Sequence, residues 1–172
     1  MSASISVPVP QRWLPRLLSG KPHQIIGEPD APYLLRWFLI PPNRGLNLYL
    51  HHFTRSDDPR GFHDHPWDFV SLMLAGSYRE ITESAAVLRR PGAVAIRRAE
   101  HRHRIELITN SDGIPQHCWS IVLTGPRRRP WGFWCPTPHG GPARFIPWQL
   151  FGLGGCDAAI RLNTTPKRGP HQ

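Results

Sequence analysis

At 172 residues the chain has room for one domain with a real core. Its 40% apolar content, 20 prolines and 15 glycines exclude long helices and favour short strands joined by turns, and no window approaches the roughly 18 apolar residues of a membrane helix. The charge of +9 comes almost wholly from arginine, with Lys21 and Lys167 the only lysines; this fits anionic ligands or partners as well as a plain basic surface.

Residues 1–32 are proline-rich and read as an arm over the domain, with one short helix at 12–19 broken by Pro15. Residues 1–10 have neither a basic start nor a continuous apolar run, so no signal peptide is expected. Strands are expected at 33–40 and 46–53; the second sets Leu46, Leu48 and Leu50 on one face and Asn47, Tyr49, His51 and Phe53 on the other. Further strands are expected at 69–75, 77–82, 85–90, 93–98, 103–108, 118–124 and 131–135, separated by Gly76, Pro91-Gly92, the cluster 110–115 and Gly125-Pro126. Residues 145–151 are expected to pack back on the barrel. This spacing predicts an all-β antiparallel sandwich or barrel over 33–151, with a C-terminal tail at 152–172. Cys118, Cys135 and Cys156 are odd in number and widely spaced, so neither a zinc ribbon nor a disulfide framework is expected, and a reducing, cytoplasmic location is the default.

The stretch from Gly61 to Asp68 holds His63 and His65, whose side chains share a face if the backbone is extended. Two imidazoles on one face make half of a transition-metal site, to which Asp68 could add a carboxylate. Asp64, between them, is expected to point outward in a salt bridge or cap. His63, His65, Gly76, Gly92 and His103 together resemble the paired motifs of the cupin superfamily, a small jelly-roll barrel, over about residues 46–125. Phe69 occupies the position of the usual cupin glutamate, Asp57 that of the glycine opening the first motif, and Arg98 and Glu100 replace the proline and glycine of the second.

The resemblance implies one divalent transition metal held by His63, His65 and His103, with Asp68 as an alternate ligand or a support behind the ligands. Fe(II) is the expected ion, with zinc, nickel or manganese as alternatives. His101 shares the strand phase of His103 and reads as an alternate ligand or a pocket residue. Arg97, on the same face, is the candidate for holding a substrate carboxylate or phosphate, and Tyr49 and Phe69 are candidate pocket walls. The implied function is oxygenation of a small anionic molecule. A non-catalytic ligand-binding module and a metal-independent isomerase of the sugar-epimerase type are the alternatives. Arg127, Arg128 and Arg129 read as a solvated loop; no nucleic-acid motif is present, no membrane contact is expected, and a homodimer is the oligomer to look for.

Overall fold

Prolines and glycines cut the chain into short strands, none longer than eight residues among those described. The structure, a computed structural model, describes residues 13–28, 30–137, 140–151, 155 and 156. A short helix α1 (Trp13–Leu18) precedes β1 (Gln24–Glu28), β2 (Ala31–Phe38), β3 (Asn47–Phe53) and β4 (Phe62–His63). Then come β5 (Phe69–Ala75), β6 (Tyr78–Ile81), β7 (Ala86–Arg89), β8 (Val94–Arg97) and β9 (Arg104–Leu107). The series ends with β10 (Cys118–Thr124), β11 (Gly132–Cys135), β12 (Arg144–Pro147) and a single turn of helix, α2 (Trp148–Phe151).

One antiparallel layer has the order β1-β2-β3-β10-β5-β8. The other consists of β7-β6-β9 and β4-β11-β12. Its halves meet where His63 and His103 exchange two backbone hydrogen bonds of 2.8 and 3.0 Å. From β3 to β11 the chain passes alternately between layers, apart from the β6–β7 hairpin, which is the connectivity of a jelly roll. The all-β architecture is therefore the one expected. Leu34, Phe53, Met73 and Cys118 from the first layer pack against Tyr78, Ile105 and Leu107 from the second.

Strand β3 turns its less apolar face inward. Asn47, Tyr49, His51 and Phe53 are buried, while Leu48 and Leu50 stay half-buried on the outer side. The barrel interior is thus partly polar, as a site needs. Gly76 ends β5 with φ +70°, and a Cβ there would collide with the His117 carbonyl and Cys118 backbone.

Three expectations are corrected. The segment read as an arm contributes β1, paired along β2, so part of residues 1–32 belongs to the sheet. Pro15 does not break α1, because it stands in the first turn, where its missing N–H has no intrahelical partner. Cys135 and Cys156 are joined by a disulfide that ties residue 156 of the expected tail to β11, where no disulfide framework was expected; Cys118 is free and buried. Residues 1–12 of the arm and 157–172 of the tail lie outside the described residues. No helix among the described residues is long and apolar enough to cross a membrane.

Candidate metal centre

The bridge between the two halves of the second layer is also where the histidines meet. His63 is the last residue of β4, and His103 immediately precedes β9, so their mutual backbone bonds face the two rings across the seam at a centroid distance of 4.7 Å. His65 follows two residues on. Its amide donates to the Ala99 carbonyl at 2.9 Å, which ties it to the turn leading to His103. Its ring lies 5.0 Å from that of His63 and 5.1 Å from that of His103. One nitrogen from each ring falls within 4.8 Å of the others, and the Nε2 atoms of His65 and His103 are 2.9 Å apart. The strand connectivity is that of a jelly roll, with the three rings gathered at the seam of its second layer.

Carboxylates hold two of the rings from behind. Glu80, buried on β6, accepts from His103 Nδ1 at 2.9 Å. Asp57 Oδ2 lies 3.4 Å from His63 Nδ1 and accepts the Ile105 amide at 2.6 Å. With His103 Nδ1 hydrogen-bonded to Glu80 and His63 Nδ1 facing Asp57, Nε2 is the atom each ring has left to ligate, the usual arrangement behind metal-binding imidazoles. Burial pushes His103 down to about 4 although the Glu80 hydrogen bond opposes it. Burial, reinforced by the neighbouring histidines, holds His65 well below the ordinary histidine range. Both rings are thereby kept neutral, the form that binds a metal. Three convergent imidazoles, two of them kept neutral by burial, fit a divalent transition ion.

Glu80 is saturated. Beyond His103 it takes two bonds from Arg97 at 2.8 and 2.5 Å, contacts from Arg89 at 2.8 and 2.7 Å, and His101 Nε2 at 3.2 Å. Burial would raise its pKa, but hydrogen bonds from His103 and Arg97 hold it far below the usual carboxylate range. Glu80, His101 and His103 form a second cluster with ligand spacing. With its lone pairs already taken, however, Glu80 serves as the anchor of His103 rather than as an open ligand.

Arg97 is on the inward face as expected, but its Nε and one terminal nitrogen are spent on Glu80 and the other on the Ile96 carbonyl. It is not free to take a substrate anion. His101 shares Glu80 and stands beside the His103 ring at 5.2 Å. Asp68 lies outside the cluster, because its strand phase directs it away from the rings. It accepts the Ala99 amide at 2.7 Å and Arg128 at 2.8 Å, clamping the turn before His103. Phe69, in the place of the cupin glutamate, sets its ring edge-on to His65 at 4.5 Å. Tyr49 packs with Phe69 and Val122, and Trp67 closes the same cluster. Asp64 does not face solvent: it is 1% exposed and accepts from Arg129, the Gly132 amide and Trp134 Nε1 at 2.7, 2.9 and 3.0 Å. Arg128 and Arg129 are therefore loop clamps, Arg128 also pairing with Glu100 at 2.8 Å.

Sequence reasoning missed Glu80, Asp57 and Arg36. Glu80 shares a strand face with Tyr78, so an acidic residue in phase with an aromatic core position was the available signal. Asp57 was visible as a departure from the cupin motif. Arg36 lies in phase with the buried Leu34 and donates Nε–H to His51 at 2.9 Å.

Comparison with protein-family models and with curated proteins gave no match. Among solved structures the chain is similar to KdgF from Halomonas sp., at 18% identity over 62% of this chain and 90% of that one, with a TM-score of 0.45. It is similar to the DMSP lyase DddQ of Ruegeria pomeroyi DSS-3, at 18% identity over 58% and 50%, with a TM-score of 0.45. A cupin-2 domain protein of Shewanella frigidimarina NCIMB 400 is 13% identical over 54% and 79%, with a TM-score of 0.41. At these identities and scores the likenesses carry nothing about chemistry, which rests on the residues.

Proposed function

We propose that this protein is a metal-dependent enzyme that oxygenates a small anionic molecule, with His63, His65 and His103 holding one divalent transition ion, Fe(II) by preference. The observation that carries this reading is the convergence of three imidazoles, two of them with a carboxylate at Nδ1. A metal bound there supplies Lewis acidity and open positions for substrate and dioxygen. The rest falls to the chain. Glu80 and Asp57 fix the tautomer and aim of His103 and His63, and Phe69, Tyr49 and Trp67 shield the inner side from water. None of the three ligands is a carboxylate, so an anionic substrate is favoured on the ion.

The test is metal analysis after anaerobic reconstitution with Fe(II), beside His103→Ala, followed by oxygen consumption with a panel of small carboxylates. One equivalent of iron in the parent, lost in His103→Ala, with oxygen uptake on one carboxylate, is the expected result. Iron that is absent, or unchanged by His103→Ala, defeats the ligand set. Stoichiometric iron without oxygen uptake defeats the reaction and leaves the site. Turnover that survives chelation would instead indicate acid–base isomerisation by the histidines themselves.

A further inference from the structure

Arg36 is the inward-facing cation that the metal centre does not use. It sits on β2 in register with Gln24 of β1 and His51 of β3. Its Nε–H donates to His51 Nε2 at 2.9 Å, and Nη1 donates to Gln24 Oε1 at 3.1 Å. Its guanidinium carbon stands 4.9 Å from the centroid of Tyr49. All of these partners are neutral: burial and the Arg36 charge together hold His51 well below the ordinary histidine range. Among the described residues no carboxylate pairs with Arg36, although the other inward arginines, Arg89 and Arg97, both pair with Glu80.

A half-buried guanidinium without a counter-ion is costly, and burial lowers its pKa. It is also oriented before any ligand arrives. Two of its five N–H groups are taken by His51 and Gln24, and the others, including both on Nη2, have no protein acceptor among the described residues. Tyr49, beneath Arg36, packs on Phe69, and Phe69 sets its ring against His65. An aromatic wall therefore runs from Arg36 to the metal ligands.

We propose that Arg36, held by His51 and Gln24, binds the carboxylate of a small substrate whose body lies along Tyr49 and Phe69 and whose reacting end reaches the three histidines. This assigns the substrate class within the function proposed above and rests on that reading for its second half. The anion site itself needs no metal. The role given to Arg97 by strand phase passes to Arg36, because Arg97 is neutralised by Glu80 and Arg36 is not.

The experiment uses the full chain stripped of metal, with benzoate as the probe and benzamide as its uncharged counterpart, and reads binding by isothermal titration and tryptophan fluorescence. Parent protein is expected to bind benzoate at least tenfold more tightly than benzamide. Arg36→Met is expected to lose at least tenfold in benzoate affinity with benzamide unchanged, and Arg36→Lys, which keeps the charge but not the planar fork, to fall between. The protein is metal-free throughout, so a failed metal centre leaves this result standing. Equal benzoate affinity in parent and Arg36→Met, or no preference over benzamide in the parent, overturns the proposal. If Arg36→Met does not fold, Arg36→Lys decides alone: a reproducible benzoate loss at unchanged melting temperature supports the site, and no loss overturns it.

Discussion

Replacing Glu80 by Gln keeps the shape of the β6 side chain and removes its charge. The carboxylate is 3% exposed and shared by Arg97, Arg89 and His103, with Arg97 and Arg89 themselves 17% and 19% exposed. Breaking a buried ion pair from one side costs about 3–5 kcal/mol. Because both arginines retain some access to water, the lower end applies, so the expected loss is about 3 kcal/mol. For a chain of this length that lowers the melting temperature by about 6–12 °C. The same substitution leaves His103 Nδ1 at best a neutral amide oxygen in place of a carboxylate, so metal binding is expected to weaken by about 10-fold, the low end of what losing such a partner costs. Calorimetric melting of the metal-free protein and zinc titration measure the two effects separately. A Glu80→Gln protein that melts within about 2 °C of the parent and binds zinc equally well would refute the anchoring role. A cycle with Arg97→Met sharpens the test: the double variant should lose about 1–3 kcal/mol less than the two single losses added together.

Asp64→Ala should destabilise by about 3–4 kcal/mol, since it strands Arg129, the Gly132 amide and Trp134 Nε1 together; urea unfolding followed by tryptophan emission reads it, and a loss below about 1 kcal/mol would contradict the contacts. The metal-free protein should weaken as pH falls. His103 titrates near 4 when folded against 6.5 when unfolded, so below pH 6.5 the unfolded chain takes a proton that the folded one refuses. Its contribution is complete above pH 6.5 and falls away towards pH 4, amounting to about 2 kcal/mol between pH 7 and pH 5. His51 and His65 act in the same direction, so urea midpoints that stay flat from pH 7 to pH 5 would refute it. Reducing the Cys135–Cys156 bond, which closes a 21-residue separation, should cost about 3 kcal/mol; an unchanged melting curve in dithiothreitol, with thiol release confirmed by mass, would count against the crosslink.

Strands whose apolar residues alternate between turn signals were legible almost to the residue: β5 and β10 begin and end where the alternation and Gly76 or Gly125 put them. β1 was not, because prolines at 22, 29 and 32 hide a short edge strand, and an edge strand needs no strong signal when its partner supplies the register. The disulfide was illegible because spacing alone does not show that β11 and residue 156 share a cluster with Ile146. At the site, His63, His65 and His103 were readable as a spacing, and the structure brings their rings together. Glu80 was not, since only the passage of β6 beside β9 brings a carboxylate to His103. Asp68 shows the converse. It was close in sequence to the histidine pair, yet a side chain one position out of phase serves the Ala99 turn instead.

The two backbone bonds between His63 and His103 are the seam of the second layer, and the three imidazoles stand on both of its banks, two on the β4 side and one on the β9 side. An ion shared by them would act as a rivet across that seam. Filling the site and closing the barrel wall then become one equilibrium. Occupancy would be read as slower amide exchange in β11 and β6, strands that flank the rivet without contributing a ligand.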